Sequence, residues 1–217
     1  MVARRQRSLL LGSTAARFMN TRPQTIQLEA PGNGLRPFEA FLNRWVLFPF
    51  FVTLMSPQKA VQMLTSTGQD ILELAHQTPT SKRSKPVLIQ RIPGIEDSSR
   101  NWSIDMTLEH LLITSESMAE IAETLGNKRR FHQEVRTEDV KPTGELDTNN
   151  IQAQYETFLE RYPSRIQNIR HLDNCEFRHL HPWFWQLTAK QWLCLNALHH
   201  KIHLRQICEI LKSLSEA

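Results

Sequence analysis

Three histidines fall within five residues near the C-terminal end, in Leu198-His199-His200-Lys201-Ile202-His203-Leu204. The run around them lacks glycine and proline and has helical period, so residues four apart lie one turn above each other. His199 and His203 therefore share a stripe with Trp192, Leu195, Ile207 and Ile210. A polar ring on an apolar stripe needs a partner once it is buried. Hydrogen bonds inside a core would serve. So would a metal ion, for which two imidazoles at i, i+4 form a bidentate clamp. His200 lies about 100° around the helix from His199 and is expected to face solvent or a neighbouring helix.

His110 is the third candidate, because it sits inside a second helical pattern beside Met106, Ile113, Thr114 and Ile121. With His199 and His203 it completes a three-imidazole set on two helices. Three neutral imidazoles leave coordination positions for water or substrate, which marks a reactive site and not a closed structural one. A rival set, His171, Cys175, His179 and His181, has a spacing that matches no standard zinc knuckle and falls in an expected loop. His181 alone is a candidate to approach the bundle end where the metal would sit and act there as an acid–base group. Glu109 and Glu116 read as solvated helix-face charges, with orientation of a ligand imidazole as the alternative. No nucleotide-binding glycine loop, G-x-S-x-G elbow or H-E-x-x-H motif is present, and no catalytic residue is assigned.

Four long helices are expected to position these groups. Ser56-Pro57 is a start signal, serine as N-cap and proline at the first helical position. The helix it opens runs to about His76 with Val61, Leu64, Gly68, Ile71, Leu72 and Ala75 inward. Residues 77–100 read as loop whose middle, Val87 to Ile92, packs on the helices as an extended strap. Trp102-Ser103 opens the next helix, ended by Gly126 as a C′ glycine. Residues 127–148 read as a polar, solvated connection with room for a little structure of its own. A third helix covers about 149–169, with Pro163 expected to kink it, and a histidine-rich linker follows. Thr188-Ala189-Lys190-Gln191 is a T-x-x-Q capping box for the last helix, to about Ser213. Ahead of all four, Pro37 to Leu54 is helical and dense in aromatics (Phe38, Phe41, Trp45, Phe48, Phe50, Phe51). That stripe is expected in the core, across the bundle or at a subunit contact. The fold class is all-α: one domain over 37–217, a four-helix bundle with crossover loops, behind a disordered tail over 1–36.

Residues 1–37 hold six arginines against one acid, Glu29, a balance of +5, while the whole chain carries +4. The remainder is therefore close to neutral, which weighs against a nucleic-acid surface. The tail's composition is like that of an organelle transit peptide, but a disordered bacterial N-terminus, or an upstream start codon chosen in error, is the preferred reading. Cys175, Cys194 and Cys208 show no C-x-x-C pairing, which suits a reducing compartment and a cytoplasmic location. No apolar stretch reaches the roughly 18 residues of a membrane span.

Trp102-Ser103 followed by His110-Leu111 resembles the corresponding segment of DinB-like proteins. So does His181-Pro182-Trp183-Phe184-Trp185-Gln186-Leu187-Thr188-Ala189-Lys190-Gln191-Trp192 leading into His199-x-x-x-His203-Leu204-Arg205-Gln206. The resemblance extends over Pro57 to Leu214. It implies a four-helix bundle with a divalent metal (zinc, nickel, iron or manganese) held by His110, His199 and His203. It also implies a small-molecule substrate and metal-dependent hydrolase or thiol-transferase chemistry, the latter with a low-molecular-weight thiol such as mycothiol or bacillithiol. The aromatic N-terminal helix and the Trp183-Phe184-Trp185 triplet depart from the family's simplest pattern. A second reading is a non-enzymatic interaction module that forms a homodimer and keeps its histidines as structural groups.

Overall fold

The computed structural model describes residues 27–143 and 148–216, and the protein is mostly helical there. Helix α1 (Pro37–Leu42) continues through a π turn (Asn43–Leu47) into α2 (Phe48–Leu54). The wide turn has a local cause. Pro49 lacks an N–H and crowds the carbonyl four residues back, so the backbone opens just before it. The chain then bends by 102° into α3 (Pro57–Gln77). There the Ser56 side chain accepts from the Lys59 N–H as the expected N-cap. The inward set of α3 is buried except for Val61, which is half-buried.

A short α4 (Thr80–Arg83) precedes β1 (Val87–Leu88), which pairs antiparallel with β2 (Asn101–Trp102). Between these strands Ile89, Ile92 and Ile95 are buried. The expected strap is thus present, clipped at its ends by a small ladder. Helix α5 (Ile104–Gly126) starts on Ser103, whose side chain accepts from the Met106 N–H. Helix α6 (Thr148–Gln167) carries through Pro163. A hairpin of β3 (Arg178–His181) and β4 (Trp185–Thr188) replaces the expected histidine-rich loop. Its tight reversal leaves Trp185 at φ 65°. Helix α7 (Ala189–Glu216) follows. At its start the Thr188 N–H donates to Gln191 and the Gln191 N–H to Thr188, completing the capping box. Helices α3 and α5 each pack against both α6 and α7 around one apolar core. At its centre the Ser115 hydroxyl donates to Asn196, whose amide reaches Tyr162, so α5, α7 and α6 share one polar knot.

Three further expectations change. Gly126 is the last helical residue and not a left-handed C′ position; that conformation falls on Lys128 (φ 58°). Glycine is required at 126 by packing instead, since a Cβ there would collide with the Ile169 side chain. The aromatic helix is mostly outside the core: Phe48 is buried against Phe184, while Phe38, Phe41, Trp45 and Phe50 are exposed. Finally, residues 27–36 touch the strap through Glu29 N–H to Asp97 and Gly34 N–H to Glu96, both 3.0 Å. The disorder expected for the tail otherwise concerns residues 1–26, outside the described residues.

Candidate metal centre

Helix α5 brings His110, and α7 brings His199 and His203, to one point. Their ligand atoms all lie within 4.8 Å of one another. The His199 Nε2 is 3.2 Å from the His110 Nε2 and 3.0 Å from the His203 Nε2. Zinc–nitrogen bonds of about 2.0–2.1 Å at tetrahedral angles would separate ligand nitrogens by about 3.3–3.4 Å. The two separations that involve His199 match this within a few tenths of an ångström, and the third pair, His110 and His203, lies within 4.8 Å.

The far side of each ring decides which nitrogen is free. The His110 Nδ1–H donates to the Val140 carbonyl at 2.7 Å. The His203 Nδ1–H donates to Gln206 Oε1, also at 2.7 Å, and Gln206 Nε2 donates onward to the Ser99 carbonyl. Because an amide nitrogen must face Ser99 O, its oxygen must face His203, and the tautomer is set. Two Nε2 lone pairs thus converge on His199. One His199 N–H cannot satisfy both well, whereas a cation satisfies all three. The His199 Nδ1 is buried without a hydrogen-bond partner, so that ring is held by edge contacts with His110 and His203.

Burial lowers the pKa of His110 to about 4, and His199 and His203 also fall well below the usual histidine range, burial first and neighbouring imidazoles after it. All three are neutral near pH 7, the state a metal requires. Trp102 stacks on His203 at a ring distance of 6.1 Å and tilts against His110 at 4.9 Å.

An irregular cap completes the site. Lys141 pairs with buried Glu96 at 2.6 Å, donates to Ser99 at 2.9 Å and lies over the Trp102 ring. Burial pushes the Glu96 carboxyl up, but Lys141 and the Gly32 and Gly34 N–H groups outweigh that and hold it below its ordinary range. The ion pair fastens segment 138–141 to the strap, and with it the carbonyl that orients His110. The connection is exposed over most of its described length, as expected, but its segment 138–141 folds onto the site.

His110, His199 and His203 open into a cavity of about 420 Å³ with mainly apolar walls, among them Leu47 and Phe51 of the N-terminal helix and Phe184 of the hairpin. His181 lines the same cavity, as the sequence suggested; burial takes its pKa to about 3. His200 faces a neighbouring helix, of the two placements left open: it is fully buried and stacks on Tyr155 of α6. The rival set does not gather. Cys175 Sγ donates to the Leu125 carbonyl, and His181 Nδ1 accepts from the Trp183 N–H. Neither glutamate orients a ligand. Glu109 is buried, not solvated, and accepts from Thr143, while Glu116 pairs with Arg165. Sequence reasoning missed the orienting pair Val140 and Gln206. Gln206 had a signal, since it follows His203 by three residues on one helix; a main-chain carbonyl has none. Comparison with known protein families, curated proteins and solved structures returns no match for this chain.

Proposed function

We propose that the chain is a DinB-like four-helix metalloprotein that acts on a small molecule through His110, His199 and His203. The observation that carries this reading is the convergence of three neutral Nε2 atoms, two with their opposite nitrogens tied down, at the floor of an apolar cavity. A divalent ion bound there would supply Lewis acidity, lowering the pKa of a thiol or water that shares its open positions. Val140 and Gln206 keep two rings in the ligating tautomer, and Trp102 fixes their planes. The apolar walls exclude bulk water and favour an acceptor with an apolar body. Thiol transfer is preferred to hydrolysis. A thiol is within reach of ionisation at neutral pH without a protein base, and Glu96, the carboxylate among the cavity's described lining residues, is committed to Lys141. The interaction-module reading fares worse, because structural histidines would leave one inward lone pair poorly satisfied.

The test is metal content of untagged protein, then cobalt substitution and titration with a low-molecular-weight thiol. About one ion per chain, lost in His110→Ala and His203→Ala, and a sulfur-to-cobalt absorption band on adding thiol are expected. Protein free of metal after reconstitution overturns the centre. A cobalt spectrum indifferent to thiol overturns the transferase assignment.

A further inference from the structure

The aromatic N-terminal helix plays no part in holding the histidines, and its outer surface is unlike the rest of the protein. Phe38 is 77 % exposed, Phe50 65 %, Trp45 60 % and Phe41 59 %, and Val46, Leu47 and Leu54 are at least half exposed. Trp185 extends the face from the hairpin, 56 % exposed, under the Arg44 guanidinium. Single exposed apolar residues are ordinary, but so many exposed large apolar side chains on one short helix mark a surface for a partner.

Charge selects the kind of partner. The sole acid between Pro37 and Leu54 is Glu39, and it is turned into the body, where it accepts from the Gly94 N–H and pairs with Arg91. The outer face therefore carries no carboxylate. Arg44 donates its Nε–H to the Trp183 carbonyl, which leaves its charge on this side. The sequence immediately preceding the helix holds Arg4, Arg5, Arg7, Arg17, Arg22 and Arg36 against Glu29 alone. An aromatic helix whose outer face bears no acid, preceded by an arginine-rich sequence, is the composition that enters the interface of a bilayer bearing anionic lipids, aromatics at the headgroup boundary and arginines on the phosphates. No single helix among the described residues is long and apolar enough to cross a membrane; Pro37–Leu54 and Pro57–Gln77 are so only together across their 102° bend, and the apolar face of Pro57–Gln77 is buried in the core, so contact would be with one leaflet.

We infer that the helix Pro37–Leu54 docks this protein on an anionic membrane surface. The inference stands independently of the metal centre, although Leu47 and Phe51 also line the cavity, so docking would bring the cavity's edge to the lipid.

The test uses the full chain with vesicles of phosphatidylcholine alone or mixed equally with phosphatidylglycerol, read by co-flotation. The variant is Phe38→Gln/Phe41→Gln/Phe50→Gln, which leaves the charge unchanged and alters only exposed positions; circular dichroism and melting check its fold. Binding to the anionic vesicles at least tenfold tighter than to neutral ones is expected. Each aromatic leaving water contributes about tenfold when fully buried, so partial burial of three gives a loss of about a hundredfold in the variant. Wild-type protein that floats with neither vesicle overturns the inference. So does a variant that binds as well as wild type, which would leave the arginines acting alone. A dimer in solution that the variant converts to monomer, with no vesicle binding, would also overturn it and assign the face to a second copy of the chain.

Discussion

His203→Ala and His200→Ala remove the same ring from neighbouring positions of one helix, yet they should separate cleanly. Both side chains are buried, at 3 % and 0 % exposure, and removing either leaves a cavity that costs about 2–4 kcal/mol. Metal-free melting temperatures should therefore fall in both variants. The metal-linked part is different. An ion bound only by the folded state at a hundred times its Kd stabilises by about 2.7 kcal/mol. For a chain of this size that is about 5–11 °C of melting temperature. His203 supplies an Nε2 to the cluster, 3.0 Å from that of His199. His200 instead bonds the Asn196 carbonyl through Nδ1 and stacks on Tyr155. Thermal melting of untagged protein, first with chelator and then with zinc or nickel in excess, should show the metal-induced rise kept in His200→Ala and absent in His203→Ala. Equal loss of the rise in both variants, or no rise in wild type, would refute the three-histidine centre.

Gln206→Leu should weaken metal affinity by about 10–100-fold, as outer partners of ligating histidines do, because the His203 tautomer is then unguided; competitive chelator titration measures it. The metal-free protein should lose stability on acidification. His110 and His200 are lowered by burial to about 4, and His181 to about 3, against about 6.5 in the unfolded chain. Below pH 6.5 the unfolded state takes up protons that the fold refuses. Stability is thus full above about 6.5 and falls towards pH 4 by up to about 1.4 kcal/mol per pH unit for each group; a flat melting temperature from pH 6.5 to 4.5 in chelator would contradict this. Gly68→Ala should cost about 1–3 kcal/mol by overpacking, since its Cβ would run into Leu159 where α3 meets α6. Metal affinity in that variant should stay at the wild-type value, because neither helix carries a ligand.

What could be read from the sequence is what local rules govern. The caps at Ser56, Ser103 and Thr188 depend on a side chain and an N–H three residues away, so residue type and spacing are enough. The ligand pair on α7 obeys the same logic, being one helical turn apart. His110 needed more, for nothing local says that α5 faces α7; its place inside a second helical pattern made it a candidate, and only the tertiary packing brings its ring to the other two.

What escaped the sequence is carried by backbone or by long-range pairing. The aromatic helix was expected in the core because its composition matches one. Only Phe48 is fully buried, with Phe51 and Val52 packed partly buried against the core, because after the 102° bend only one side of the helix meets the rest of the protein. The orienting shell is irregular for the same kind of reason. A ligand must be presented repeatedly and rigidly, which a helix does well. An orienting acceptor has only to place one carbonyl, and any segment pinned nearby will do. Lys141 is that pin: through Glu96 and Ser99 it ties the polar connection to the strap, whose Ser99 carbonyl receives Gln206. The two orienting bonds, Val140 to His110 and Gln206 to His203, thus hang on a single cap. A substitution at Lys141 should disturb both imidazoles although it bonds neither.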